Sequence, residues 1–187
     1  MSLRPMVLVC ALGLSLVGCG GGGSSAPAAT PAPVVFSSSA FVGTWNNVIP
    51  GCYVNFAYNT ALFYKVDATV ISSTKVDFVM TAYSDAACTL KAGKVTDSYT
   101  VAFKDGGTSG SIQLAKMALT FTGFSSGADG GSGITLTRVP DGAASGGSRK
   151  YLIGVDGTKF YGTDGTAAAD AEGYPTKVTA VPTATKI

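Results

Sequence analysis

From residue 62 onward, apolar and polar residues change places at every second position, and that period excludes most folds. Leu62, Tyr64, Val66, Ala68 and Val70 alternate with Lys65, Asp67 and Thr69, and Val76, Phe78 and Met80 alternate with Lys75, Asp77 and Thr81. A period of two sends successive side chains to opposite faces of a strand. The same reading covers Val95, Tyr99, Val101 and Phe103, then Met117, Leu119 and Phe121, then Ile134 and Leu136 against Thr135 and Thr137. Ser72-Ser73-Thr74, Asp105-Gly106-Gly107 and the glycine-rich stretches 127–133 and 142–147 read as turns or loops between them. Asp156-Gly157, flanked by 151–155 and 158–161, is the best hairpin signal and predicts a type I′ turn. Pro175 suits the start of a last strand over 177–181 that pairs with the first. About eight to ten antiparallel strands result, with no helical pattern after residue 18. Strands in that number hide their edges by closing into a barrel or by stacking as two sheets, and the period does not choose between these.

The first 40 residues follow a different logic. Arg4 precedes an apolar run over 6–17, too short for the roughly 20 residues a transmembrane helix needs. It has the length of a signal-peptide core, and Leu16-Val17-Gly18-Cys19 follows it. In this order of charge, apolar run and box the chain resembles bacterial lipoprotein precursors. The resemblance implies cleavage before Cys19 and acylation of its thiol and new amino terminus. Two acyl chains already give stable anchoring at about 0.8 kcal/mol per buried methylene, so a triacylated Cys19 implies a membrane-bound protein. Gly20 stands where an aspartate would favour inner-membrane retention, so the outer membrane is the expected address. Residues 19–40 then read as the lipidated cysteine and a Gly/Ser/Pro/Ala tether, with a reach on the order of 25 Å. The chain thus divides into a signal peptide (1–18), the tether (19–40) and a β-barrel domain (41–187).

A second resemblance concerns the fold. Gly43-Thr44-Trp45 is similar to the Gly-x-Trp motif that opens lipocalin and related calycin barrels. It implies a single antiparallel up-and-down barrel, lipocalin-like, with a sandwich or partly open barrel as the alternative. In such barrels the tryptophan plugs the closed end and a basic residue from a late strand covers it. Arg138 and Arg149 are the candidates here. Barrels of this size are filled by side chains or hold one small ligand.

Of the four cysteines, Cys10 lies in the leader and Cys19 takes the lipid, which leaves Cys52 and Cys88 as a pair in an oxidising compartment. Their disulfide would tie the segment after the first strand to the turn after Tyr83. Closing a loop of about 36 residues contributes roughly 3 to 4 kcal/mol.

Chemistry is mostly excluded. The chain has no histidine, which removes Ser-His-Asp and Cys-His catalysis and the usual zinc sites. Ser72-x-x-Lys75 fits a bare Ser-Lys pattern but falls in a turn. Asp105, Asp141 and Asp156 fall in turns that explain them, and Asp67, Asp77 and Asp97 are expected on the solvent face of strands. Asp164, Asp170 and Glu172 are the candidates for a weak cation site, although their spacing does not fit an EF-hand. With 13 basic and 11 acidic residues, nothing suggests nucleic acid. The sequence therefore predicts a non-enzymatic envelope lipoprotein without a cofactor. It would either bind a small apolar ligand or peptide, or act as a filled barrel that contacts another envelope protein.

Overall fold

The computed structural model describes residues 35–54, 62–127 and 148–187. Cys10, Cys19, the lipobox, the expected strand at 134–136, Arg138, Asp141 and both glycine-rich loops lie outside the described residues, except for Gly127. Among the described residues there are nine strands: β1 (Gly43–Asn46), β2 (Tyr53–Val54), β3 (Phe63–Ile71), β4 (Lys75–Tyr83), β5 (Lys91–Ser109), β6 (Ile112–Gly127), β7 (Ser148–Asp156), β8 (Lys159–Tyr161) and β9 (Ala184–Lys186). Neighbours in space run β1-β9-β8-β7-β6-β5-β4-β3, and β1 pairs with β3 to close the ring. All the ladders are antiparallel. The fold is therefore an eight-stranded, closed, up-and-down β-barrel, with β2 added alongside β3 through Tyr53↔Tyr64. Closure, rather than a sandwich, removes the sheet edges.

The alternation holds where nothing interrupts it and fails where an extra residue enters. Leu62, just before β3, and Tyr64 and Val66 within it point inward as expected. Between Val66 and Ala68 the register to β4 shifts, leaving Asp67 as a bulge. Beyond it the phase reverses: Thr69 and Ile71 are buried and Val70 is 41 % exposed, opposite to the expectation for Thr69 and Val70. An inserted residue re-aims every side chain that follows it. The Asp67 carboxylate accepts a hydrogen bond from the Thr81 hydroxyl of β4 and so ties the bulge to its neighbour.

Other boundaries also move. Asp105-Gly106-Gly107 is not a turn but a bulge inside the long β5, where the Asp105 carboxylate accepts the Gly107 N–H at 2.7 Å. The chain reverses instead between Ser109 and Ile112. At the β7–β8 hairpin Asp156 pairs with Lys159, so the loop is Gly157-Thr158. Only Gly157 has a positive φ, of 59°, which makes this a II′ rather than a I′ turn. The closing strand is β9 at 184–186, not 177–181; the latter segment touches the 162–164 segment through a Thr163↔Val178 bridge. A short 3₁₀ helix, Ser38–Phe41, which the sequence pattern did not announce, brings the wholly buried Phe41 onto Phe103, with ring centroids 5.9 Å apart.

The interior contains two apolar clusters. One gathers Phe41, Trp45, Ile71, Val76, Met117, Ile153 and Phe160 behind the 3₁₀ helix. The other gathers Leu62, Tyr64, Val66, Met80 and Val95 near β2.

Candidate functional site

The plugged end is built around Trp45. Its indole N–H donates to the Phe41 carbonyl at 2.9 Å, and its ring lies 5.3 Å from that of Phe160. Aromatic pairs at this distance and a satisfied indole are what burial of Trp requires. The basic residue over it is Lys186 of β9, with Nζ 5.3 Å from the ring centroid. Of the expected arginines, Arg149 does not fill that role, being exposed on β7, and Arg138 lies outside the described residues. Position 43 must be glycine for two reasons. Its φ is 147°, and a Cβ there would sit 2.3 Å from Cε of Lys186. The Gly-x-Trp pattern is thus a slot for a lysine stem above an indole.

Beyond this plug the barrel is not full. A cavity of about 400 Å³ lies inside it, within the usual range for small-molecule sites. Its walls include Ile71, Val76, Phe78, Met117, Ile153 and Phe160, and its rim includes Val48, Ile49 and Pro50 from the β1–β2 segment. Among the described residues no charged side chain lines it. Four threonines do: Thr69, Thr163, Thr179 and Thr183. Three have their hydroxyls engaged. Thr163 binds both backbone groups of Leu152, at 3.1 and 2.8 Å, Thr179 donates to the Val181 carbonyl at 2.9 Å, and Thr183 to that of Phe160 at 3.5 Å. Thr69 differs: it is 2 % exposed, and its hydroxyl has no hydrogen-bond partner. Its oxygen is closed to a water-sized molecule, so this unmade bond stands as a cost of about 1 to 3 kcal/mol.

A second polar element lies inside the barrel. Asp97, expected on the outer face, is only 4 % exposed, because it shares the parity of the inward Val95 and Tyr99. Its charge faces Tyr53 and Tyr64. Burial, then the Asp97 and Tyr99 charges, pushes the Tyr53 hydroxyl up to about 12. Burial, then Tyr53 and Asp97, pushes the Tyr64 hydroxyl higher still. Tyr53 donates to the Met80 sulfur at 3.2 Å.

The remaining candidates serve the fold. Cys52 and Cys88 form a disulfide with Cα atoms 6.0 Å apart, joining the segment before β2 to the β4–β5 turn. The Ser72 hydroxyl accepts the Lys75 N–H at 2.8 Å within its own turn, while Lys75 pairs with Asp77 at 3.0 Å. Asp164 is turned inward on Thr166, accepting its N–H and hydroxyl. Asp170 and Glu172 come together, but around lysines. Lys116 lies 2.7 Å from Asp170 and 3.8 Å from Glu172, and Lys104 lies 3.3 Å from Glu172. Tyr174 stacks its ring near both Lys116 and Lys150, at 5.4 and 5.1 Å. This network fastens the 164–174 loop to the outer face of β6 and β7. Among the described residues no cluster of three acidic, Cys or His side chains is placed to hold a metal.

Sequence reasoning missed Thr69 and Lys186. Thr69 was hidden by the bulge, and Lys186 lies in a three-residue strand too short to show a period. Neither a protein-family model, a curated protein nor a solved structure matches the chain.

Proposed function

We propose that the protein is a lipocalin-like binding lipoprotein of the cell envelope, tethered to the outer membrane through Cys19, whose barrel holds a small apolar molecule. The observation that carries the binding role is the cavity of about 400 Å³ with apolar walls. A filled barrel acting only through its outer surface does not account for that space. The anchoring role rests on the order of charge, apolar run, Leu16-Val17-Gly18-Cys19 and tether in the sequence. The reading assigns the chain no catalytic step, no metal at Asp164, Asp170 and Glu172, and no cofactor.

Two measurements test it. Radiolabelled palmitate is expected in the wild-type product and absent from Cys19→Ser; labelling of both, or of neither, removes the anchor. Phenylnaphthylamine, an uncharged apolar fluorophore, is expected to brighten saturably on the protein. Ile153→Phe, which fills the cavity from its wall, is expected to abolish that signal while the circular dichroism spectrum stays unchanged. Equal brightening by a correctly folded Ile153→Phe protein would place the dye elsewhere.

A further inference from the structure

The wall of the cavity is not sheet all the way round. β8 and β9 have three residues each, and past Tyr161 and before Ala184 the lining passes to Gly162, Thr163, Thr179 and Thr183. These four form the base of an arm, residues 162–183, which leaves the barrel, doubles back through the bridges Thr163↔Val178 and Ala169↔Pro175, and returns. The rim at Val48, Ile49 and Pro50 is moored covalently through Cys52 to Cys88. The base of the arm is held more lightly. Thr179 N–H donates to the Gly162 carbonyl at 2.9 Å and Thr183 N–H to that of Phe160 at 2.8 Å. Between them Ala180, Val181 and Pro182 are exposed, and Pro182 has no N–H to give.

The far end of the arm is fastened elsewhere. Asp170 meets Lys116 at 2.7 Å, the buried Tyr174 lies against Lys116 and Lys150, and the Lys150 ammonium donates to the Glu172 carbonyl. Lys116 and Lys150 stand on the outer face of β6 and β7, and the next residue of each strand, Met117 and Tyr151, pairs with the other in register and lines the cavity from within. The arm is thus fixed to the outside of the same wall that its base completes. We propose that this arm is the part of the barrel that opens for cargo, and that the contact between Lys116 and Asp170 is its latch. This rests on the ligand-binding reading above and adds the route by which the ligand comes and goes. Entry and release both pass through the open state, so a weaker latch multiplies both rates by one factor and leaves their ratio, the affinity, alone. A contact that only shaped the cavity would change the affinity instead.

The test is stopped-flow fluorescence with phenylnaphthylamine on the full-length, oxidised chain carrying Cys19→Ser, so that no attached acyl chain competes. Lys116→Met and Asp170→Asn are each expected to raise association and dissociation together, about two- to fivefold, the scale of one partly exposed ion pair, with Kd within about twofold of its starting value. Asparagine keeps the oxygen that accepts the Glu172 and Tyr174 N–H groups, so the second variant removes the charge and little else. Lys75→Met is the control. It breaks a similar pair, to Asp77 at 3.0 Å, on a strand whose Val76 lines the same cavity but which holds no part of the arm, and it is expected to leave both rates alone. Normal rates in a folded latch variant, a rise in dissociation only, or equal acceleration by Lys75→Met would each overturn the latch and leave the binding site standing. A measurement that needs no latch variant runs beside these: between about 0.01 and 1 M salt the screening length falls from about 30 to 3 Å, and both rates are expected to rise. Rates indifferent to salt would overturn the latch as well. If the dye itself never binds, the binding reading fails and the role of the arm goes with it.

Discussion

Gly43 shows how one residue answers to two neighbours. It must adopt a φ of 147° and must leave room for the lysine stem that crosses it, so Gly43→Ala meets both a backbone and a side-chain obstacle. The expected loss is more than about 1 kcal/mol in urea unfolding, with an unchanged m-value. Lys186→Met, which keeps the stem and removes the charge over Trp45, is expected to cost only about 0.5 to 1 kcal/mol and to shift the emission of the single tryptophan. The two interior tyrosines give a pH dependence. Their folded-state pKa values lie above the unfolded value of 10.0, so the native state holds protons that the unfolded chain releases. The stability this represents is complete below pH 10.0 and is lost as pH rises toward about 12, where Tyr53 ionises. A spectrophotometric titration is expected to show two tyrosines, Tyr53 and Tyr64, ionising only as the barrel opens. All the tyrosines titrating together in folded protein would contradict the interior placement of Tyr53 and Tyr64.

At the level of strands, the bulge at Asp67 decides more than any single contact. Deleting Asp67 takes out the extra residue and lets Val66, Thr69 and Ile71 alternate inward without a break, so Thr69 and Ile71 stay in the barrel and the expected cost is only about 1 kcal/mol, that of the lost Thr81 hydrogen bond. Asp67→Ala keeps the residue count and loses only the hydrogen bond from Thr81, so about 1 kcal/mol is expected. A comparable device holds the β4–β5 turn, where the Asp85 carboxylate accepts the Leu90 and Thr89 N–H groups at 2.7 and 3.0 Å. These bonds hold its pKa below the usual carboxylate range. Their contribution is therefore present above that range and fades as pH falls through the lowered value. Faster amide exchange at Thr89 and Leu90 in acid, with the rest of β4 and β5 protected, is the measurement that checks it. The strands themselves were legible because Leu62 to Val66 and Val76 to Met80 alternate plainly. The bulge left a trace too: counting inward positions forward from Leu62 and back from Ile71, which faces Val76 across the hairpin, gives answers one residue apart. The 3₁₀ helix, β9 and Lys186 left none, because three or four residues are too few to establish a period and their positions are set by packing against Trp45 and Phe103.

For the whole molecule, closure and the disulfide act together. Closure was readable only as one of two ways to hide edges, and the motif at Gly43 and Trp45 tipped the expectation toward it. The cavity was not readable at all, since it depends on how far inward side chains from several strands reach. Reduction of Cys52–Cys88, or a Cys52→Ala/Cys88→Ala chain, is expected to lose about 4 kcal/mol of stability by the entropy of the unfolded loop. A second effect is expected beside it. Cys52 follows two residues after Pro50, so the bond moors the rim residues Val48, Ile49 and Pro50 to the far turn. The reduced protein, held below its unfolding transition, should therefore bind phenylnaphthylamine more weakly than the oxidised one. On the binding role proposed above, oxidation then has to come before cargo: a newly made chain with free thiols is a cup without a brim, and holds apolar molecules only once its cysteines have paired.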